Sequence, residues 1–197
     1  MIGHYQTARA VRAALEDRLK QTARAQGIDL MRLRRQVAFD RLLARLFAES
    51  EPGASDPPWL LKGGDAFELR LGAHARATKD VDLTVPAPSR PGANAGASPQ
   101  AQNALIRERL QDAAEGDLHD GFAFRIGDPM ADVDAAPYGG ARYPIVAWRG
   151  STIARWRPFT WMWASATTSR RRLSGSPASI SSTLPASRWC FGSWTSA

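Results

Sequence analysis

Two glycines, Gly63 and Gly64, and two alternating aspartates, Asp80 and Asp82, mark the stretch WLLKGGDAFELRLGAHARATKDVDLTV from Trp59 to Val85. Residues without a Cβ let a phosphate approach the backbone closely. A helix start offers that phosphate unpaired N–H groups and the positive end of the helix dipole. Two carboxylates on one strand face suit hard divalent cations, because Mg²⁺ takes one or two carboxylates together with substrate phosphates. Paired ions roughly 3.5–4 Å apart activate an attacking oxygen and neutralise a leaving group. A phosphate cradle beside a carboxylate pair outlines nucleotidyl transfer. Taken separately, Gly-Gly also fits an ordinary turn and Asp-x-Asp a solvated strand face.

The elements that must position these residues are set by spacing. Trp59, Leu60 and Leu61 form a short apolar run that reads as a buried strand; the glycines break it, and helix formers follow from Asp65 to Leu71. The run from Lys79 alternates, with Val81, Leu83 and Val85 on one face and Asp80, Asp82 and Thr84 on the other. Upstream, helices are expected from about Thr7 to Ala25 and from about Leu30 to Glu49, the second capped by Asp29. Phe39, Leu42, Leu43, Leu46 and Phe47 form a stripe that should pack on the sheet, and the arginines of this region read as a solvated face, with RNA contact as the alternative. Ser50–Pro58 and Pro86–Pro99 have loop composition. A helix over Asn103–Glu115 with Leu105, Ile106 and Leu110 inward, a strand from Gly121 and another from Arg142 complete an α/β or α+β domain with a mixed sheet. Asp132 and Asp134 form a second Asp-x-Asp, read as surface residues of a loop.

Strand, Gly-Gly, helix, loop, then strand with Asp-x-Asp is the core signature of the polymerase β-like nucleotidyltransferase fold, which the chain resembles. More narrowly, LKGGDAFELRLGAHARATKDVDL is similar to the AbiEii/AbiGii toxin-type nucleotidyltransferases, whose pattern is close to LKGGTALxL…R.TKDIDL. The resemblance is strongest over this stretch and looser over residues 1–150. It implies that Gly63 and Gly64 cradle nucleotide phosphates, with Lys62, Asp65 and Lys79 beside them, and that Asp80 and Asp82 hold Mg²⁺ and are catalytic. Asp65 departs from the family pattern, where a hydroxyl residue is common and can bond a phosphate. Alternation puts Lys79 opposite the aspartates, which gives it a positioning role. Arg76 is a candidate for phosphate or RNA contact, or a solvated loop arginine. The resemblance further implies an NTP substrate, an RNA acceptor such as tRNA, a genetically paired antitoxin and a role in phage defence.

The net charge of +7 would ordinarily invite a nucleic-acid reading. Eight arginines lie beyond Asp134, the last acidic residue, so the preceding part of the chain is near neutral. After about Gly150 the chain is rich in Ser, Arg, Thr, Ala and Trp without a sustained period, although tryptophans are unusual in disordered segments. The genetic code offers an account. Trp161, Met162, Trp163 and Ala164 force TGG ATG TGG GCN, and reading from the third base of Trp161 gives Asp-Val-Gly. Extended backwards, that frame reads His or Tyr, a hydrophobic residue, then Asp-Val-Gly, similar to the strand on which this family carries a further carboxylate. A change of frame between about Ala147 and Pro158 is inferred, so 1–150 is expected to be an incomplete nucleotidyltransferase domain and 151–197 an out-of-frame, disordered tail. The alternative is a genuine divergent C-terminus.

His4, His74 and His119 are scattered and Cys190 stands alone, so neither a zinc spacing nor a disulfide framework is present. There is no nucleophile elbow, no Walker A loop, and no apolar run near the length of a membrane span. A cytoplasmic protein is expected. Three functions remain open: a toxin-type nucleotidyltransferase, a degenerate copy that keeps part of the nucleotide and metal site without catalysis, and a basic nucleic-acid-binding protein with no enzymatic activity.

Overall fold

The computed structural model describes residues 8–48, 50, 57–64, 66, 78, 80–86, 98–132, 140–149 and 158–169. Two helices open the chain, α1 (Ala8–Gln26) and α2 (Leu30–Leu46). Asp29 caps the second as expected, its side chain accepting from Arg32 N at 2.8 Å, which satisfies one of the orphan donors of the first turn. There follow β1 (Leu60–Lys62), β2 (Asp80–Pro86), α3 (Pro99–Ala114), β3 (Phe122–Ile126), β4 (Met130–Asp132), β5 (Gly140–Arg149) and β6 (Pro158–Ser169). Ser98 caps α3 with Pro99 in its first turn, where a missing N–H costs nothing.

The strands form one mixed sheet in the order β1-β2-β6-β5-β3, with β4 also paired to β5. Only β2 and β6 run parallel. One sheet face is closed by helices: Val81, Leu83 and Val85 of β2, Ala164 and Ala166 of β6, and Ala141, Tyr143, Ile145 and Ala147 of β5 are buried in one core with Leu33, Phe39, Leu42 and Leu43 of α2 and Ile106 and Leu110 of α3. Alanines at the sheet centre let α2 lie across β6. Tyr143, wholly buried, donates its hydroxyl to the backbone carbonyl of Asn103 at 3.0 Å, and burial pushes its pKa up to about 12.

Pro144 sits inside β5, where proline is unusual. Gly127 N donates to its carbonyl at 2.8 Å, so the imide nitrogen faces the crossing from β3 to β4, and β3 pairing ends at Ile145 while β4 pairing begins at Arg142. The missing N–H therefore falls where no ladder bond is required. A Cβ on Gly127 would come within 2.6 Å of Pro144 Cγ, so glycine is what lets the crossing pass.

Four expectations are corrected. Leu105 is exposed, because the buried stripe of α3 runs Asn103, Ile106, Leu110, Ala114 and leaves position 105 a quarter turn away. Asp132 ends strand β4 and is not in a loop, since its backbone pairs with Ala141; Asp134 lies outside the described residues. Arg45 is no solvated arginine. Its guanidinium is buried, paired with Asp120 at 2.7 and 3.0 Å, bonded to the carbonyls of Arg41 and Phe122, and placed over the Phe124 ring. Last, Pro158–Ser169 is not disordered but a twelve-residue strand at the sheet interior, held by ladders on both sides and by alanines that fit beneath α2. The rest of the expected tail, 151–157 and 170–197, lies outside the described residues.

The Arg45–Asp120 pair ties α2 to the entrance of β3, and removing one partner strands a charge in the core. Asp120→Ala is expected to destabilise the fold by about 3 kcal/mol in urea unfolding. A loss within roughly 0.5 kcal/mol, the range of ordinary surface changes, would show that the pair does not hold these elements together.

Candidate functional site

The sheet face opposite α2 and α3 carries the candidate residues. Alternation in β2 puts Asp80, Asp82 and Thr84 on this face, half-buried, while Val81, Leu83 and Val85 enter the core, as the sequence predicts. Thr78 fixes the start of the strand: its hydroxyl donates to the Asp80 carbonyl at 3.0 Å and accepts from Asp80 N at 3.4 Å.

Register lines up the neighbours. Lys62 of β1 is the antiparallel partner of Asp82, Asp82 is level with Ser165 of β6, and Ser165 with Arg142 of β5. Directly opposed residues share a sheet face, so the row runs lysine, aspartate, serine, arginine across four strands. Arg142 reaches over β6 to form an ion pair through Nη2 with Asp80 Oδ2. The second oxygen, Asp80 Oδ1, is buried with no hydrogen-bond partner among the described residues.

The glycines stand against these carboxylates. Gly63 has φ +67°, a conformation other residues adopt at a cost, and a Cβ there would overlap Asp82 Oδ2 and lie 2.8 Å from its Cγ. A Cβ on Gly64 would come within 3.1 Å of the Thr78 hydroxyl. Gly63, Gly64 and Ala66 are helical, which puts the pair at a helix entrance as expected; residues 65 and 67–77 lie outside the described residues. Backbone and carboxylate thus approach each other with nothing but glycine between them.

Burial, and then the charge of Asp80, push the Asp82 carboxyl above the usual carboxylate range, against the opposing pull of Lys62 and Arg142. Two hard oxygen donors, one with an orphaned buried oxygen, match what Mg²⁺ requires of a protein when phosphates supply further ligands. Among the described residues no group of three or more His, Cys, Asp or Glu side chains is disposed to hold a metal. On the same face β6 presents positions 163, 165 and 167, none of them acidic, beside Asp80, Asp82 and Thr84.

Of the residues singled out in the sequence, Gly63, Gly64, Asp80, Asp82 and Lys62 come together here. Asp65, Arg76 and Lys79 lie outside the described residues. Arg142 and Thr78 were not singled out. Thr78 lies within the quoted motif, and Arg142 lies in an alternating strand on the face opposite Tyr143, but neither role can be read without the strand order.

Two outcomes follow from this geometry. Gly63→Ala should cost roughly 1–2 kcal/mol by chemical denaturation from the left-handed backbone alone, before the overlap with Asp82 is relieved. An unchanged midpoint would refute the close approach. Because the folded state holds the Asp82 proton more tightly than the unfolded chain does, the ionised carboxylate opposes folding near neutral pH. That opposition fades as pH falls through the folded pKa. Asp82→Asn should therefore raise the Tm near neutral pH without divalent ions, with a gain that shrinks on acidification; a lowered Tm at neutral pH would contradict the electrostatics.

A family model described as nucleotidyl transferase AbiEii toxin, type IV toxin–antitoxin system, matches residues 41–156, more than half of the chain. Both glycines and both aspartates fall inside the match, which stops within the interval where a change of frame is expected from the codons. No curated protein matches the chain in sequence. Among the described residues no helix is long and apolar enough to cross a membrane. The chain belongs to the AbiEii nucleotidyl transferase toxin family of type IV toxin–antitoxin systems.

Proposed function

We propose that this site serves Mg²⁺-dependent transfer of a nucleotide from an NTP to the hydroxyl of an RNA acceptor, tRNA-like in kind, in the cytoplasm. The observation that carries the reading is the closure of Gly63 on Asp82 beside the orphaned oxygen of Asp80. That arrangement sets a glycine backbone open to phosphate against a carboxylate pair open to cations. The Gly63–Gly64 backbone receives the polyphosphate, and Lys62, exposed next to Asp82, adds positive charge at its edge. Asp80 and Asp82 would hold Mg²⁺, which when bound neutralises charge on the reacting phosphate and leaving group. A family antitoxin is the expected protein partner, and phage defence the expected setting.

A second reading is favoured by the composition of β6. The position level with Asp80 is Trp163 and that level with Asp82 is Ser165, so the strand beside the aspartates brings no carboxylate to take the acceptor proton. With this β6 the chain binds nucleotide and transfers it slowly or not at all.

Incubation with labelled NTPs, Mg²⁺ and total RNA separates the two. The chain as it stands, a version with the upstream frame continued through β6, and that version with Asp80→Ala or Asp82→Ala are compared. Labelling by the frame-continued form, lost by about 10³-fold or more in either alanine variant, is expected. Full activity without Asp80 and Asp82 would sink the site assignment. Equal activity of the two parent forms would remove the reading of an impaired β6.

A further inference from the structure

Among the described residues, Asp80, Asp82, Lys62 and Arg142 bring two negative and two positive charges to one patch of the sheet, a balance made by the protein's own side chains. Arg142 is bound directly to Asp80: its Nη2 is on Asp80 Oδ2, and guanidinium cannot release its proton to leave as a neutral group. The remaining oxygen, Oδ1, is buried and unpartnered among the described residues. A divalent ion that engages Asp80 must then either accept a cation bound to the other oxygen or wait until that cation has moved. Like charges at such range repel strongly where water is partly excluded.

Arg142 is accessible from solvent. Its side chain is 44% exposed, and it is anchored on β5, two strands from Asp80, with β6 between them. Its planar fork matches phosphate oxygens as well as carboxylate. Polyphosphate seated over Gly63 and Gly64 would bring beside the aspartates negative charge that can take over from Asp80 as a partner of this guanidinium.

We propose that Arg142 is the resident counter-ion of Asp80, displaced onto the nucleotide's phosphates on binding, so that the divalent ion enters this site together with nucleotide and not ahead of it. Arg142 is in this sense a positioning residue that couples two ligands. The proposal rests on the reading of Asp80 and Asp82 as the metal and nucleotide site.

Mn²⁺ binding by the full chain, followed by electron paramagnetic resonance, tests it without turnover. It is titrated alone and with saturating α,β-methylene analogues of the NTPs, each in turn. Wild type should bind Mn²⁺ weakly alone and about tenfold or more tightly with an analogue. Arg142→Gln should bind Mn²⁺ alone several-fold more tightly than wild type and lose most of the enhancement by nucleotide. Arg142→Lys, which keeps the charge on a shorter and non-planar group, should fall between and provides a second variant if glutamine disturbs the sheet. Arg142→Gln and Arg142→Lys titrations that match wild type would overturn the proposal. So would wild-type Mn²⁺ binding that is as tight alone as with analogue. The double variant Asp80→Asn, Asp82→Asn separates this failure from that of the site: if it binds Mn²⁺–nucleotide as wild type does, or if wild type binds none, the metal site itself is refuted and the role of Arg142 with it.

Discussion

The pairing of β6 with β2 on one side and β5 on the other is the constraint on which the structure depends. It joins a strand early in the chain to a late hairpin. Without it the aspartates of β2 and the arginine of β5 belong to separate pieces of sheet. The pairing is possible because β6 turns Ala164 and Ala166 toward the helices, level with Val81 and Leu83 on one side and with Tyr143 and Ala141 on the other. Small residues in the middle row leave room for Phe39, Leu42 and Leu43 of α2, and larger neighbours in the flanking rows fill the remaining volume. Inner packing thus sets the register, and the register sets which charges meet on the outer face, since a slip by one residue would exchange the two faces.

The outer face bears a cost that the inner one does not. Asp82 is partly desolvated, has a like charge two residues away and touches a glycine in a left-handed conformation. None of these features helps the chain fold. Lys62 and Arg142 offset part of the repulsion, and the buried pair Arg45–Asp120 together with the Tyr143 hydrogen bond fastens helices to strands elsewhere. Electrostatic cost concentrated at one small patch and balanced by satisfied polar contacts away from it is the pattern expected where a protein holds reactive groups in place.

Local features were legible in the sequence and remote ones were not. Two glycines before helix formers and aspartates alternating with valines act within a few residues, so Gly63, Gly64, Asp80 and Asp82 declared both their elements and their faces. The cap at Asp29 was readable for the same reason. Arg142 was not, because its partner lies 62 residues away and two strands across. Arg45 looked like one more arginine of a basic helix, and only Asp120, from the turn before β3, makes its burial tolerable. β6 was missed on different grounds. PFTWMWASATTS carries no run of large apolar residues in alternation, since its buried positions include alanines that weigh little in a hydrophobic pattern, while its threonines and aromatics hold their β preference in reserve until strands flank it.

Folding and chemistry make separate demands on this strand. The inner face needs small or apolar residues, and the outer face needs a carboxylate only if the strand is to share in catalysis. β6 meets the first demand and not the second, so a closed sheet says little about turnover. The register also constrains the alternative frame. Positions 161 and 163 are level with Val146 and Pro144, neither of them in the core, whereas position 162 is level with the buried Ile145. If the Asp-Val-Gly of that frame is set with its aspartate at position 161, a net removal of two bases upstream, the hydrophobic residues on either side fall at 160 and 162 on the helix-covered face. The His or Tyr at 159 and the aspartate then face outward with Asp80 and Asp82. Set one residue later, the aspartate would lie at 162 against the core, unpaired, and its hydrophobic neighbours would face outward. The phase that restores the alternation is therefore the same phase that restores the carboxylate, which is what a strand once shaped by both demands would retain.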